Sequence, residues 1–175
     1  RIGICDHDNL DVTNLHRQTL FSYMDLGENK AVLAKKKLQQ LNPFVKYEAY
    51  TEKIDENNVE EILSAYRLVV DCTDNFQTKF LLHDACYWMD RPLIQANIFQ
   101  TEGQLVVYRK KKNCLRCLWP KVPNEKLFAN CGEAGVLGAV TGILGSWQAM
   151  EAIKLLLGWE DKVERGMLFL DSLSN

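Results

Sequence analysis

The sequence predicts an α/β fold: a mainly parallel sheet with helices on both faces. Short apolar runs alternate along the chain with longer amphipathic ones, and each run of the first kind leads into one of the second. The 175 residues suffice for one core and not for two, and neither a linker nor an internal repeat divides them. A single domain over 1–175 is therefore expected.

The elements follow in order. Ile2 to Cys5 is a short apolar strand. Because the chain opens on Arg1-Ile2-Gly3 without an initiator Met, already inside that strand, a first strand–helix unit is expected to precede it. Lys30 to Leu41 carries Ala31, Ala34, Leu38 and Leu41 on one helical face with lysines opposite, and Asn42-Pro43 ends it. Asn58 to Ala65 and Phe76 to Met89 repeat that pattern. The second of these follows Thr73-Asp74-Asn75, residue types that cap helices. Leu68 to Cys72, Leu93 to Ala96 and Leu105 to Tyr108 read as strands.

Beyond Thr101-Glu102-Gly103 the style changes. A strand gives way to the basic run Arg109 to Lys112, then to Cys114-Leu115-Arg116-Cys117, then to a polar stretch through Asn130, an insertion with a role of its own. Gly135 to Leu157 is almost uniformly apolar, with Gly138, Gly142 and Gly145 at close spacing, which predicts a buried helix packed tightly on its neighbours. Met167 to Asp171 supplies a last strand.

Composition excludes several roles. Acidic residues (23) nearly balance basic ones (21), so a formal charge of −2 gives no field to hold a nucleic acid or an anionic membrane. The longest apolar runs, such as Ala134 to Leu144, fall short of the roughly 20 residues that a bilayer requires. Six cysteines (5, 72, 86, 114, 117 and 131) without an apolar leader point to a reduced, cytoplasmic chain rather than a disulfide framework. Three histidines (7, 16 and 83) show neither metal spacing nor a triad, so hydrolytic chemistry is unsupported.

Several residues have chemistry to offer, each with a plainer alternative. Asp6 ends the first strand, where an acidic residue can hold ribose hydroxyls or simply turn the chain. Thr13-Asn14-Leu15-His16-Arg17-Gln18 is a polar cluster that no core needs. Arg17, a planar charged fork, and Lys30, a point charge at a helix start, suit phosphate oxygens, or are solvated surface charges. Asp74 sits where a strand ends and a helix begins, able to hold Mg²⁺ or, like Thr73, to cap the helix. Cys114 and Cys117 are half of a tetrahedral zinc site. Cys131, in a polar loop ahead of a helix, is either a reactive thiol or an inert one.

Taken in order, Cys5-Asp6-His7-Asp8, Asn14 to Gln18, Lys30, Asp71-Cys72-Thr73-Asp74-Asn75, Glu102-Gly103-Gln104, Cys114-x-x-Cys117, Ala134-Gly135-Val136 and Gln148 to Lys154 closely resemble the ThiF/MoeB/HesA family, bacterial relatives of ubiquitin-activating enzymes. The match covers nearly the whole chain. It implies a Rossmann-like sheet and an adenylyltransferase that uses ATP and Mg²⁺ to activate the C-terminal glycine of a ubiquitin-like sulfur-carrier protein. By position, Asp6 would hold the ribose. Asn14, Arg17 and Lys30 would contact phosphates, with Gln18 alongside, and Asp74 would bind Mg²⁺ beside Asn75.

The same resemblance assigns Cys114 and Cys117 to a structural zinc and Cys131 to sulfur transfer, with a sulfur-donor protein as second partner and a homodimer as the assembly. Cys-Leu-Arg-Cys-Leu-Trp-Pro favours the ThiF branch and a thiamin-type carrier over the MoeB branch and a molybdopterin-type carrier. The family's glycine-rich phosphate loop and second zinc pair are expected outside 1–175. Two further classes compete. A non-catalytic relative would have no reason to keep Arg17, Lys30 and Asp74 together. A nicotinamide-dependent oxidoreductase on a similar sheet leaves Arg17, Lys30 and the CxxC without a purpose.

Overall fold

The computed structural model describes residues 1–123 and 135–174, in two compact units, Arg1–Ile54 and Asp55–Asn175. In the first unit, β1 (Ile2–Cys5) pairs in parallel with β2 (Tyr47–Tyr50), Ile2 opposite Tyr47 and Cys5 opposite Tyr50. Parallel strands need a crossover. It is α1 (Lys30–Leu41), which packs against both strands and buries Ala31, Leu33 and Ala34. Its span is the predicted one, but its inner face is set differently at the C-terminal end, where Leu41 is exposed. β2 is not among the predicted strands: Tyr-Glu-Ala-Tyr has no continuous apolar run, and only Tyr47 is buried.

The second unit carries a four-stranded sheet in the order β3 (Val69–Asp71), β4 (Leu93–Phe99), β5 (Glu102–Tyr108), β6 (Met167–Asp171). β3 and β4 are parallel, joined through α3 (Phe76–Trp88), on which α2 (Val59–Ser64) packs. β5 follows β4 after only Gln100 and Thr101, too short a link for a crossover, so these strands run antiparallel. Gln100 takes the left-handed conformation, φ 53°, at this turn. β6 adds a second antiparallel ladder on β5. The parallel part of the fold is thus β1–β2 and β3–β4, with antiparallel pairing added at the C-terminal side.

Helices cover both faces of this sheet, as expected. Ile94 and Ala96 of β4 and Leu105 and Val107 of β5 lie in one core with Val140 and Leu144 of the long helix Gly138–Leu156. Leu93 and Gln95 point the other way, and there α3 packs, with His83 edge-on to Tyr108, the residue opposite Leu93. A four-residue helix, α4 (Leu115–Leu118), starts at Cys114, and the long helix is therefore α5.

The expected all-round burial of α5 is corrected. Only a stripe, Val140, Leu144, Gln148 and Glu151, is buried, while Ile143, Met150, Ile153 and Leu156 are exposed. Nor do Gly142 and Gly145 mediate a close approach, since a Cβ at either would meet nothing within 4 Å. Among the described residues no helix is long and apolar enough to cross a membrane.

Candidate active site

In the first unit, the end of β1 and the start of α1 are tied together. Asn29 caps α1, its Oδ1 accepting the Val32 N–H at 3.1 Å, and its Nδ2 donates to the carbonyls of Asp6 (3.0 Å) and Asp8 (3.2 Å). Lys30 donates its backbone N–H to Asp8 O at 2.9 Å and sets its Nζ 3.1 Å from Asp8 Oδ2. Asp6 Oδ1 accepts the Asp8 N–H at 3.0 Å. The structure therefore brings Asp6 and Lys30 to one corner. With its side chain only 12% exposed, Lys30 is a held charge and not a freely solvated one.

The predicted polar cluster, Thr13 to Gln18, begins in a short helical turn, Val12–Asn14, with a reciprocal cap. Asp11 accepts from Thr13 Oγ1 (2.6 Å) and Thr13 N (2.8 Å), and the hydroxyl bond foremost holds its carboxyl below the usual carboxylate range. Asn14 is buried, and its Oδ1 accepts the Asp11 N–H at 3.2 Å. Its carbonyl accepts the N–H groups of Arg17 (3.1 Å) and Gln18 (2.9 Å). Asn14 thus builds the turn that carries Arg17 and Gln18. Arg17 Nη1 donates to Thr13 O at 3.1 Å and lies 3.5 Å from His16 Nε2. The buried Gln18 Oε1 has no hydrogen-bond partner among the described residues.

In the second unit, the β3 end and the start of α3 hold Asp71 to Asn75. Asn75 is the helix cap, its Oδ1 accepting the Thr78 N–H at 2.8 Å. Thr73 turns back on Asp71 Oδ1 with both its N–H (2.8 Å) and its hydroxyl (2.7 Å). The capping alternative for Asp74 and Thr73 therefore falls to Asn75. Asp74 is exposed and carries no hydrogen bond or ion pair among the described residues. A single free carboxylate suits Mg²⁺, which keeps most of its waters and shares phosphate oxygens.

Asp71 lies behind this loop and is the part the sequence does not reveal. Its Oδ2 accepts from Lys79 Nζ at 3.1 Å and from Gln95 Nε2 at 2.9 Å. Lys79 also donates to Ala96 O at 2.9 Å, and Gln148 Nε2, reaching in from α5, donates to Asp71 O at 2.8 Å. Asp71, Lys79, Gln95 and Gln148 are all buried. The available signal was a Lys and a Gln inside otherwise apolar segments, Phe76 to Met89 and Leu93 to Ala96.

Cys114 and Cys117 flank the first turn of α4. The Cys117 thiol is hydrogen-bonded to Cys114, which pushes it up from its ordinary value. The Leu115 N–H donates to His83 Nε2 at 3.0 Å, and Arg116 grips Asp84 through Nε (3.2 Å) and Nη2 (2.6 Å). Two thiols on one turn fit zinc chemically but supply only two of four ligands. Among the described residues no third Cys, His or carboxylate joins them. Cys86 is buried in the core, and burial pushes its thiol up to about 12. Cys131 lies outside the described residues.

A strand-to-helix sheet edge bearing a free carboxylate, and a strand-to-helix corner bearing a held lysine, put both residues at strand-end positions of an α/β fold. Comparison with known proteins makes the class specific. A profile of the ThiF family matches residues 1–175, and the chain belongs to that family. It is 41% identical over 179 residues to the sulfur carrier protein adenylyltransferase of Thermus thermophilus, covering 99% of this chain and 66% of that protein. It is 44% identical over 170 residues to adenylyltransferase and sulfurtransferase MOCS3 of Culex quinquefasciatus, covering 97% of this chain and 39% of that protein. The chain thus spans about 39 to 66% of the length of these relatives. The crystal structure of E. coli MccB with ATP shares the fold, with a TM-score of 0.74 at 19% identity over 97% of this chain and 55% of the other.

Proposed function

We propose that the intact protein, with residues 1–175 as one adenylation domain, adenylates the C-terminal glycine carboxylate of a ubiquitin-like sulfur carrier at the expense of ATP. The observation that carries this reading is Asp74, left free while Asp71 and Asn75 on either side are both engaged in building the loop. An exposed, unpartnered carboxylate just past the end of a parallel strand is available to a cation that shares phosphate oxygens. The names of the Thermus and Culex relatives support the same reaction class.

The chemistry asks little of covalent catalysis. A carrier carboxylate oxygen attacks the α-phosphorus, an acyl–phosphate bond forms, the bond to the β-phosphate oxygen breaks, and pyrophosphate leaves. Charge accumulates on the α-phosphate oxygens and on the departing group, and fixed cations lower that cost. Arg17 and Lys30 are the cations assigned to phosphate, and Asp6, at the end of β1, is assigned to the ribose. Asn14 and Gln18 support Arg17 in the same turn, and Asn75 caps the helix behind Asp74. Mg²⁺ on Asp74 supplies charge neutralisation when bound.

Zinc on Cys114 and Cys117 is assigned a structural role, completed by ligands beyond the described residues. A thiamin-type carrier, a sulfur-donor protein acting through Cys131, a cytoplasmic location and a homodimer complete the reading. The exposed apolar side chains Met150, Ile153 and Leu156 on α5 support the dimer.

The test is ATP–pyrophosphate exchange by the intact protein with a carrier ending in Gly-Gly. Arg17→Ala and Asp74→Ala are each expected to lower kcat/KM by roughly 10²-fold or more, the scale of losing one preorganised charge contact. Wild type without exchange for any matched carrier would replace this reading by the non-catalytic one.

A further inference from the structure

We propose that Asp71, clamped from both faces of the sheet, is the positioning group of the metal loop, and that Lys79 acts through it to place Asp74 without touching nucleotide. The inference rests on the adenylyltransferase reading and names residues of its site beyond those already assigned.

The hydrogen bonds leave Asp71 no freedom. Oδ1 takes both donors of Thr73, fixing the residue next to Asp74, and Oδ2 takes Lys79 and Gln95, fixing the carboxylate itself. Lys79 comes from α3, on one face of the sheet. Gln148 comes from α5, on the other, and holds the Asp71 carbonyl. Four acceptor bonds on one buried carboxylate orient it more tightly than a cap or a turn requires.

The consequence concerns Asp74. Among the described residues its side chain has no hydrogen bond or ion pair to orient it, so its direction is set by the backbone between Thr73 and Asn75. Asn75 is anchored by the helix. Among the described residues Thr73 is anchored by Asp71, and Asp71 is oriented by Gln95 and by a buried ammonium that also holds Ala96 O. Thr73 and Lys79 meet different oxygens of one carboxylate, so loss of Lys79 removes one of the two donors on Oδ2 and loosens the carboxylate that holds the loop. Partners that orient a metal ligand from behind typically change metal affinity by about 10–100-fold when removed.

The experiment is binding of Mn²⁺ to the intact protein with α,β-methylene ATP, followed by electron paramagnetic resonance, beside the Mg²⁺ dependence of pyrophosphate exchange. Lys79→Met is expected to weaken Mn²⁺ binding about tenfold and to raise the Mg²⁺ requirement in parallel, with affinity for metal-free analogue unchanged. Lys79→Arg, which keeps the charge on Asp71, is expected to restore most of it. Thr73→Val keeps shape at a partly exposed site and removes one bond to Asp71, so it decides the matter even if Lys79→Met does not fold. Weakened Mn²⁺ binding in Thr73→Val supports the proposal. Wild-type Mn²⁺ affinity in Thr73→Val, or in folded Lys79→Met, overturns it while leaving the adenylyltransferase reading intact. A wild-type protein that shows no exchange overturns the latter first.

Discussion

Gly103 on β5 and Leu144 on α5 meet so closely that a methyl group at Gly103 would stand 2.4 Å from Leu144 Cδ1. Both residues lie in the core between the sheet and the helix, where Leu144 is fully enclosed and has no solvent to swing into. Gly103→Ala is therefore expected to overpack this contact and destabilise the protein by about 1–3 kcal/mol.

The companion variant separates crowding from backbone effects. Leu144→Ala alone leaves a cavity and costs roughly 2–5 kcal/mol. Adding Gly103→Ala to it should then cost less than in wild type, because the new methyl enters space already vacated. Urea unfolding of the two single variants and the double variant measures this. A Gly103→Ala midpoint equal to wild type would show that the helix can simply move away.

His83 makes stability depend on pH. Its Nε2 accepts the Leu115 N–H, so Nδ1 carries the proton and donates to Asp84 Oδ1 at 3.1 Å. Burial pushes its pKa below the ordinary value, against the opposing pull of Asp84. In the unfolded chain the imidazole takes up a proton near pH ~6.5, while in the folded chain it stays neutral until a lower pH. The unfolded state then binds more protons, so stability is lost as pH falls from about 6.5 toward the folded value. His83→Gln keeps an acceptor for Leu115 and removes the titration. Thermal midpoints between pH 7 and 5 should fall less steeply in this variant, and an unchanged slope would assign the effect to other groups.

What could be read from the sequence, and what could not, follows from where each signal resides. α1 spans the predicted residues because apolar side chains at helical spacing and an Asn-Pro stop are local facts. The β4–β5 reversal was not anticipated, since direction is set by the length of the link at Gln100 and Thr101 and not by either strand's composition. α5 reads as buried from its hydropathy, yet burial depends on how many surfaces are present to cover it, and only one stripe is covered. The site divides the same way. Asp74 and Lys30 lie at element ends, where strand-to-helix order marks them. Lys79, Gln95 and Gln148 converge on Asp71 from three separate elements, and no spacing along the chain encodes that meeting.

Cys131 separates the two carrier branches. Its role shows in the products. Adenylation uses phosphate-binding groups and a metal, none of which is a thiol, so Cys131→Ser is expected to leave pyrophosphate release nearly intact. In a ThiF-like enzyme sulfur is expected to reach the acyl-adenylate through a relay thiol of the chain, and there the same variant should lose most carrier thiocarboxylate. Mass spectrometry of the carrier beside pyrophosphate release, on wild type and Cys131→Ser, measures both steps. Unchanged thiocarboxylate yield in the variant would remove the relay role and shift the reading to a MoeB-like enzyme, in which an external donor attacks the adenylate directly.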